Sequence, residues 1–192
     1  MGYQNYKTKG VDLFFTEENK SIPFQQTGLK DQPKINELAS KMFTIDKNKI
    51  QEYWLEEIYP RQNSITFNNG FYCFFEHSAK EEKLTKKKIW IPANDFLLNH
   101  TDICEGLSTI YTAEGSNNNS FTCGECLASG DDGFIALSKK DTGELVWLIV
   151  LSGTNPFEKI IIHNSSIHVQ SSSGTLAIVP TDRPDNLSIE WS

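Results

Sequence analysis

No stretch of this 192-residue chain approaches the ~20 consecutive apolar residues that a membrane-spanning helix requires. The longest apolar run, Leu145 to Leu151, has the length of a strand. The start of the chain, Met1-Gly2-Tyr3-Gln4-Asn5-Tyr6, carries no apolar segment of the kind that directs secretion, and Tyr6 breaks the myristoylation pattern that Gly2 would open. These absences predict a cytoplasmic protein. Four cysteines are too few and too spread for a disulfide framework, so reduced thiols are expected. Catalytic signatures are missing as well: there is no Gly-x-Gly-x-x-Gly, no phosphate-binding loop and no Gly-x-Ser-x-Gly elbow. Asp141-Thr142-Gly143 has the letters of an aspartic-protease motif. That chemistry needs two carboxylates sharing a proton in apolar surroundings, and here a single triplet sits between Lys140 and Glu144. It reads as a turn, and no enzymatic activity is predicted.

The most informative absence is of positive charge. Between Ile91 and Ser138 there is no Lys or Arg, while seven carboxylates fall there: Asp95, Asp102, Glu105, Glu114, Glu125, Asp131 and Asp132. The net charge of −7 is correspondingly uneven, with residues 1–90 slightly positive and the remainder strongly negative. A surface of this sign repels nucleic acid, whose affinity comes mainly from Lys and Arg on phosphate. It speeds encounter with a basic protein. The bland alternative is a set of solvated acidic loops that keep the protein soluble.

Aromatic residues are plentiful, with twelve Phe, six Tyr and four Trp, enough for a substantial core. One domain over 1–192 is expected, with residues 1–30 as a packed arm. Asp31-Gln32-Pro33 resembles a helix start, and Ile35, Leu38, Ala39, Met42 and Phe43 then recur on one helical face. A second helix is predicted from Asp46, with Ile50, Tyr53, Trp54 and Ile58 inward, Glu52 and Glu56 outward, and Pro60 closing it. Ser64–Phe67 and Phe71–Phe75 flank Asn68-Asn69-Gly70 as a β-hairpin. Ile89–Ile91 reads as a short strand, Asn94–His100 as a helical turn or two, and Gly115–Ser120 as a polar loop. Strands then recur at Phe134–Ser138, Leu145–Leu151, Lys159–His163, Ile167–Gln170, Thr175–Val179 and Leu187–Trp191. The predicted class is α+β: an antiparallel sheet, largely from the C-terminal half, packed against two N-terminal helices, with Leu145–Leu151 central beneath them.

His100, Cys104, Cys123 and Cys126 are ligand types that zinc prefers, and Cys123-Gly124-Glu125-Cys126 could chelate from a tight turn. A small structural or regulatory domain with a Cys3His zinc site is therefore the alternative reading. The competing one places these cysteines in the core.

Leu127-Ala128-Ser129-Gly130-Asp131-Asp132-Gly133-Phe134-Ile135-Ala136-Leu137, followed by Asp141-Thr142-Gly143-Glu144-Leu145-Val146-Trp147, resembles the central hairpin of small bacterial toxin-immunity proteins of the SUKH kind. The likeness covers about thirty residues, and the strands after Asn155-Pro156-Phe157 depart from the C-terminal helix usual in those proteins. The resemblance implies an immunity protein, which binds and neutralises a cognate toxin, often a basic nuclease, by occluding its active site. The charge distribution nominates as partner-binding residues Asp95, Asp102, Glu105, Glu125, Asp131 and Asp132, with Glu52 and Glu56. No cofactor is implied.

Overall fold

The computed structural model describes residues 47–191 apart from 62, 77–87, 95, 97–102 and 129. Helix α1 (Lys47–Leu55) is followed by strands β1 (Ile58–Pro60), β2 (Ser64–Phe67), β3 (Phe71–Phe75), β4 (Lys88–Pro92), β5 (Ile103–Glu105), β6 (Leu107–Glu114) and β7 (Asn119–Cys126). Then come β8 (Asp132–Lys139), β9 (Leu145–Ser152), β10 (Phe157–Ile162), β11 (Ser166–Ser171), β12 (Thr175–Pro180), a 3-10 turn at Pro184–Asn186, and β13 (Ser188–Trp191).

Seven strands form one antiparallel sheet in the order β4-β3-β2-β9-β8-β7-β6. β9 lies at its centre because its residues are apolar whichever way they point. Trp147, Ile149 and Leu151 enter one core, and Leu145, Leu148 and Val150 enter another on the opposite face. A bulge at Val146, where Leu137 pairs with Trp147 but Ser138 pairs with Leu145, resets the alternation. β8 follows suit, with Ile135 and Leu137 on the first face and Phe134 and Ala136 on the second.

The first face is covered by a second sheet, the meander β10-β11-β12-β13. β11 and β12 bury alternate residues, as in β12, where Thr175, Ala177 and Val179 point in. Phe157, Ile160, Ile167, Val169, Leu187 and Ile189 complete that core. The second face is covered by α1 and by a two-stranded ribbon of β1 and β5. Ile50 and Tyr59 pack there with Tyr72, Phe74 and Phe96, whose rings meet at 4.9–6.1 Å.

Helix α1 is stitched to the middle of the sheet. The Gln51 amide donates to the Leu145 carbonyl at 3.1 Å and accepts from the Leu145 amide at 2.8 Å, standing in for a neighbouring strand residue. Trp54 Nε1 donates to the Gly143 carbonyl at 3.0 Å.

The α+β expectation is overturned: thirteen strands and one nine-residue helix, among the described residues, make the protein mainly β. The helix expected over residues 31–43 lies outside the described residues, as does most of Asn94–His100. The second expected helix forms but stops at Leu55, before Pro60. Glu57 takes a left-handed conformation (φ 55°), and the chain then enters β1, which pairs with β5. The strands expected to form one sheet under two helices divide into separate sheets, and the C-terminal meander covers the face that α1 does not. Only the Leu145–Leu151 strand keeps its predicted central place, and the Asn68–Gly70 hairpin turn forms with Gly70 alone at positive φ.

One buried carboxylate ties the two sheets together. Asp185 receives Arg183 Nε at 3.0 Å and Nη2 at 3.1 Å, and its Oδ2 lies 3.4 Å from Lys88 Nζ on β4. Asp185→Ala should cost about 3 kcal/mol of stability, the level expected when a buried ion pair loses one partner. Urea titration measures it; a loss below about 1 kcal/mol, typical of exposed pairs, would show the clamp to be dispensable.

Candidate functional site

The antiparallel ladder β6-β7-β8 decides where the acidic residues go. β6 begins where β7 ends and β8 begins, since Leu107 pairs with Cys126 and Glu125 with Gly133. Glu105, Glu125 and Asp131, far apart in sequence, therefore reach the same end of the sheet. Glu105 and Asp131 are exposed and Glu125 is half-buried. Glu57 joins them: its Oε2 accepts from the Leu107 amide at 2.9 Å, and its carbonyl accepts from the Gly106 amide. Sequence reasoning missed Glu57, because only the β1–β5 ribbon brings the end of α1 to the start of β6.

The other nominated carboxylates are divided. Asp132 opens β8 and is 4% exposed, so it cannot contribute to an accessible acidic surface. Glu52 is exposed but paired with Lys49 at 2.7 Å, and Glu56 is exposed just beyond the helix. Glu114 lies at the opposite end of β6, bound to Lys140 at 2.6 Å. Asp95 and Asp102 lie outside the described residues. The two ends of the ladder differ in pairing: Glu105, Glu125 and Asp131 share one end, while at the other Glu114, Asp141 and Glu144 are accompanied by Lys139 and Lys140. Arg61, just past β1, brings a cation to the ribbon, where its Nε donates to the Cys104 sulfur at 3.3 Å.

The zinc reading depends on Cys123 and Cys126 sharing a turn. They lie instead on β7, where residues three apart face opposite ways. Cys123 is in the core beneath the second sheet, with its thiol 3.5 Å from the Phe157 carbonyl, whereas Cys126 is in the core beneath α1 with Cys104. One ion cannot take both. His100 lies outside the described residues, and among the described residues no three metal-ligating side chains come together.

Gly124 between them has a structural reason. β6 bulges at Ile110, and a β-carbon at Gly124 would overlap the Ser108 carbonyl oxygen. Gly124→Ala should therefore distort the bulge and cost about 2 kcal/mol or more, read from the thermal midpoint. A wild-type midpoint would show that the bulge yields freely.

Burial pushes the Cys123 and Cys126 thiols up to about 12, and it pushes Cys73 higher still. Above the ordinary thiol value of 9.0 the unfolded chain loses protons that the folded chain keeps. The folded state then binds more protons than the unfolded, so stability is complete below pH 9 and falls as pH rises towards 12. Removing one such thiol in Cys123→Ala should flatten the decline by at most about 1.4 kcal/mol per pH unit. Identical slopes for variant and wild type, from urea midpoints across that window, would mean that Cys123 titrates normally in the fold.

Compared with known proteins, the chain matches no family model, no curated protein and no solved structure.

Proposed function

We propose that this chain is a protein-binding module that acts as an immunity protein, covering the basic active site of a nuclease-type toxin with its acidic end. The observation that supports the reading is the gathering of Glu57, Glu105, Glu125 and Asp131 at one end of the β6-β7-β8 ladder, the last three from a stretch, 91 to 138, that holds no Lys or Arg. Like charges brought together by the fold raise its energy slightly, and that penalty turns into attraction when a cationic surface arrives. Long-range attraction of this kind accelerates association and weakens as salt screens it, with a screening length of about 8 Å at physiological ionic strength.

The mechanism is occlusion. Exposed carboxylates on the β1–β5 ribbon and the β7–β8 turn stand where phosphate oxygens would otherwise meet the partner's Lys and Arg. No covalent step is required. Glu125 is half-buried and held by the strand, so it loses little freedom on binding, whereas Asp131 sits in an exposed turn and serves chiefly to steer.

The test uses the product of a gene adjacent to the one encoding this chain, where that product carries a cytotoxic domain. Co-expression of the chain should restore growth. Glu105→Lys combined with Asp131→Lys should slow association by about tenfold or more at low salt and reduce protection, with little change in melting temperature. Protection and association rate unaffected by the double reversal would sink the acidic reading.

A further inference from the structure

We infer that His163 and His168 form a two-histidine site for a divalent transition-metal ion, zinc above all, which clips strand β10 to β11. Their rings lie with centroids 4.0 Å apart and planes tilted by 46°. The hairpin itself brings them together. Ile161 pairs with His168 and Ile162 with Ile167, and the His163 amide donates to the Ser166 carbonyl at 2.8 Å. His163 is thus the diagonal neighbour of His168 on one face of the ladder, a relation within reach of ring side chains. Strand alternation sends Ile167 and Val169 into the core, so His168 between them faces away from it. His163 is exposed and His168 half-buried.

Chemistry selects the ion. Imidazole is a preferred ligand of zinc, copper and nickel, whereas magnesium and calcium prefer oxygen. Two nitrogens that share a tetrahedral zinc at 2.0–2.1 Å lie about 3.3 Å apart. Rings already in contact meet that spacing by small turns of their side chains, so little freedom is lost on binding. The row across the sheet, Ile161–His168–Ile178–Ser188, contains no cation to repel the ion. Ile161 and Ile178 flank His168 with apolar surface, and such neighbours limit the access of water to a metal.

Two histidines fill two of the four tetrahedral positions, and water takes the others. A site of this kind exchanges its ion, in contrast to the closed four-ligand sites that hold small domains together. Its effect is local, since the ion joins two strands across one hairpin and stabilises the folded form by mass action. The pair shares no residue with the acidic end, so it stands or falls separately from the proposed function.

The experiment titrates zinc chloride into the full chain at neutral pH, following heat by calorimetry and the imidazole resonances by NMR. One ion per chain should bind, moving the His163 and His168 resonances together and slowing amide exchange along β10 and β11. His163→Gln and His168→Gln should each weaken binding by about tenfold or more, since each removes one of two ligands. His163→Gln, at an exposed position, should leave the melting temperature of the metal-free chain unchanged. Magnesium chloride should move neither resonance. Zinc binding undiminished in both variants, or shifts confined to His77 and His100, would overturn the assignment. So would the lack of any binding at about 1 mM zinc. Two ions per chain, one lost with each variant, would show independent imidazoles and overturn the shared site as well.

Discussion

Leu145–Leu151 turns apolar side chains to both faces of the sheet, so water has to be excluded from both at once. Burying such side chains is worth about 1.5–3 kcal/mol each, and a sheet with one wet face would forgo half of that. The rest of the architecture answers this demand. The C-terminal meander lies over one face, and α1 with the β1–β5 ribbon lies over the other. The edges thin out accordingly: β8 and β9 are buried almost throughout, while β6 is exposed along most of its length.

That gradient explains which parts of the fold were legible. Central strands announce themselves as unbroken apolar runs, and the meander strands as short apolar or β-branched segments between Asn, Ser, Gly and Pro turns, so β8 through β13 and the β2–β3 hairpin could be read from residues alone. β6 could not. Leu-Ser-Thr-Ile-Tyr-Thr-Ala-Glu has no apolar period, because an edge strand has little to bury. β1 and β5 are three residues each, and their pairing joins segments more than forty residues apart, a contact that local pattern does not encode. The helical layers were over-read because helices are a common cover for a two-faced strand; a second sheet serves as well.

The candidate site divides along the same line. The absence of basic residues from Ile91 to Ser138 was visible in the sequence, but which carboxylates meet depends on strand register. Register brings Glu105, Glu125 and Asp131 together, removes Asp132 into the interior and carries Glu114 away to Lys140. The cysteines make the same point. Cys123-Gly124-Glu125-Cys126 suggests a chelating turn until the two-residue period of a strand is imposed on it, when the sulfurs part to separate cores. A glycine within Phe121–Cys126 was the available hint, since an isolated glycine in a strand marks a bulge or a close backbone approach.

The paired hydrogen bonds between the Gln51 amide and Leu145 couple the helix to the centre strand in a way that packing alone would not. Tugging on whatever chain precedes Lys47 would load the hydrogen-bond ladder at the heart of the sheet before it loosened the surface. Helix α1 is therefore a poor candidate for a detachable flap. It acts as a rivet, and the protein should respond to tension at that end by holding, then giving way all at once.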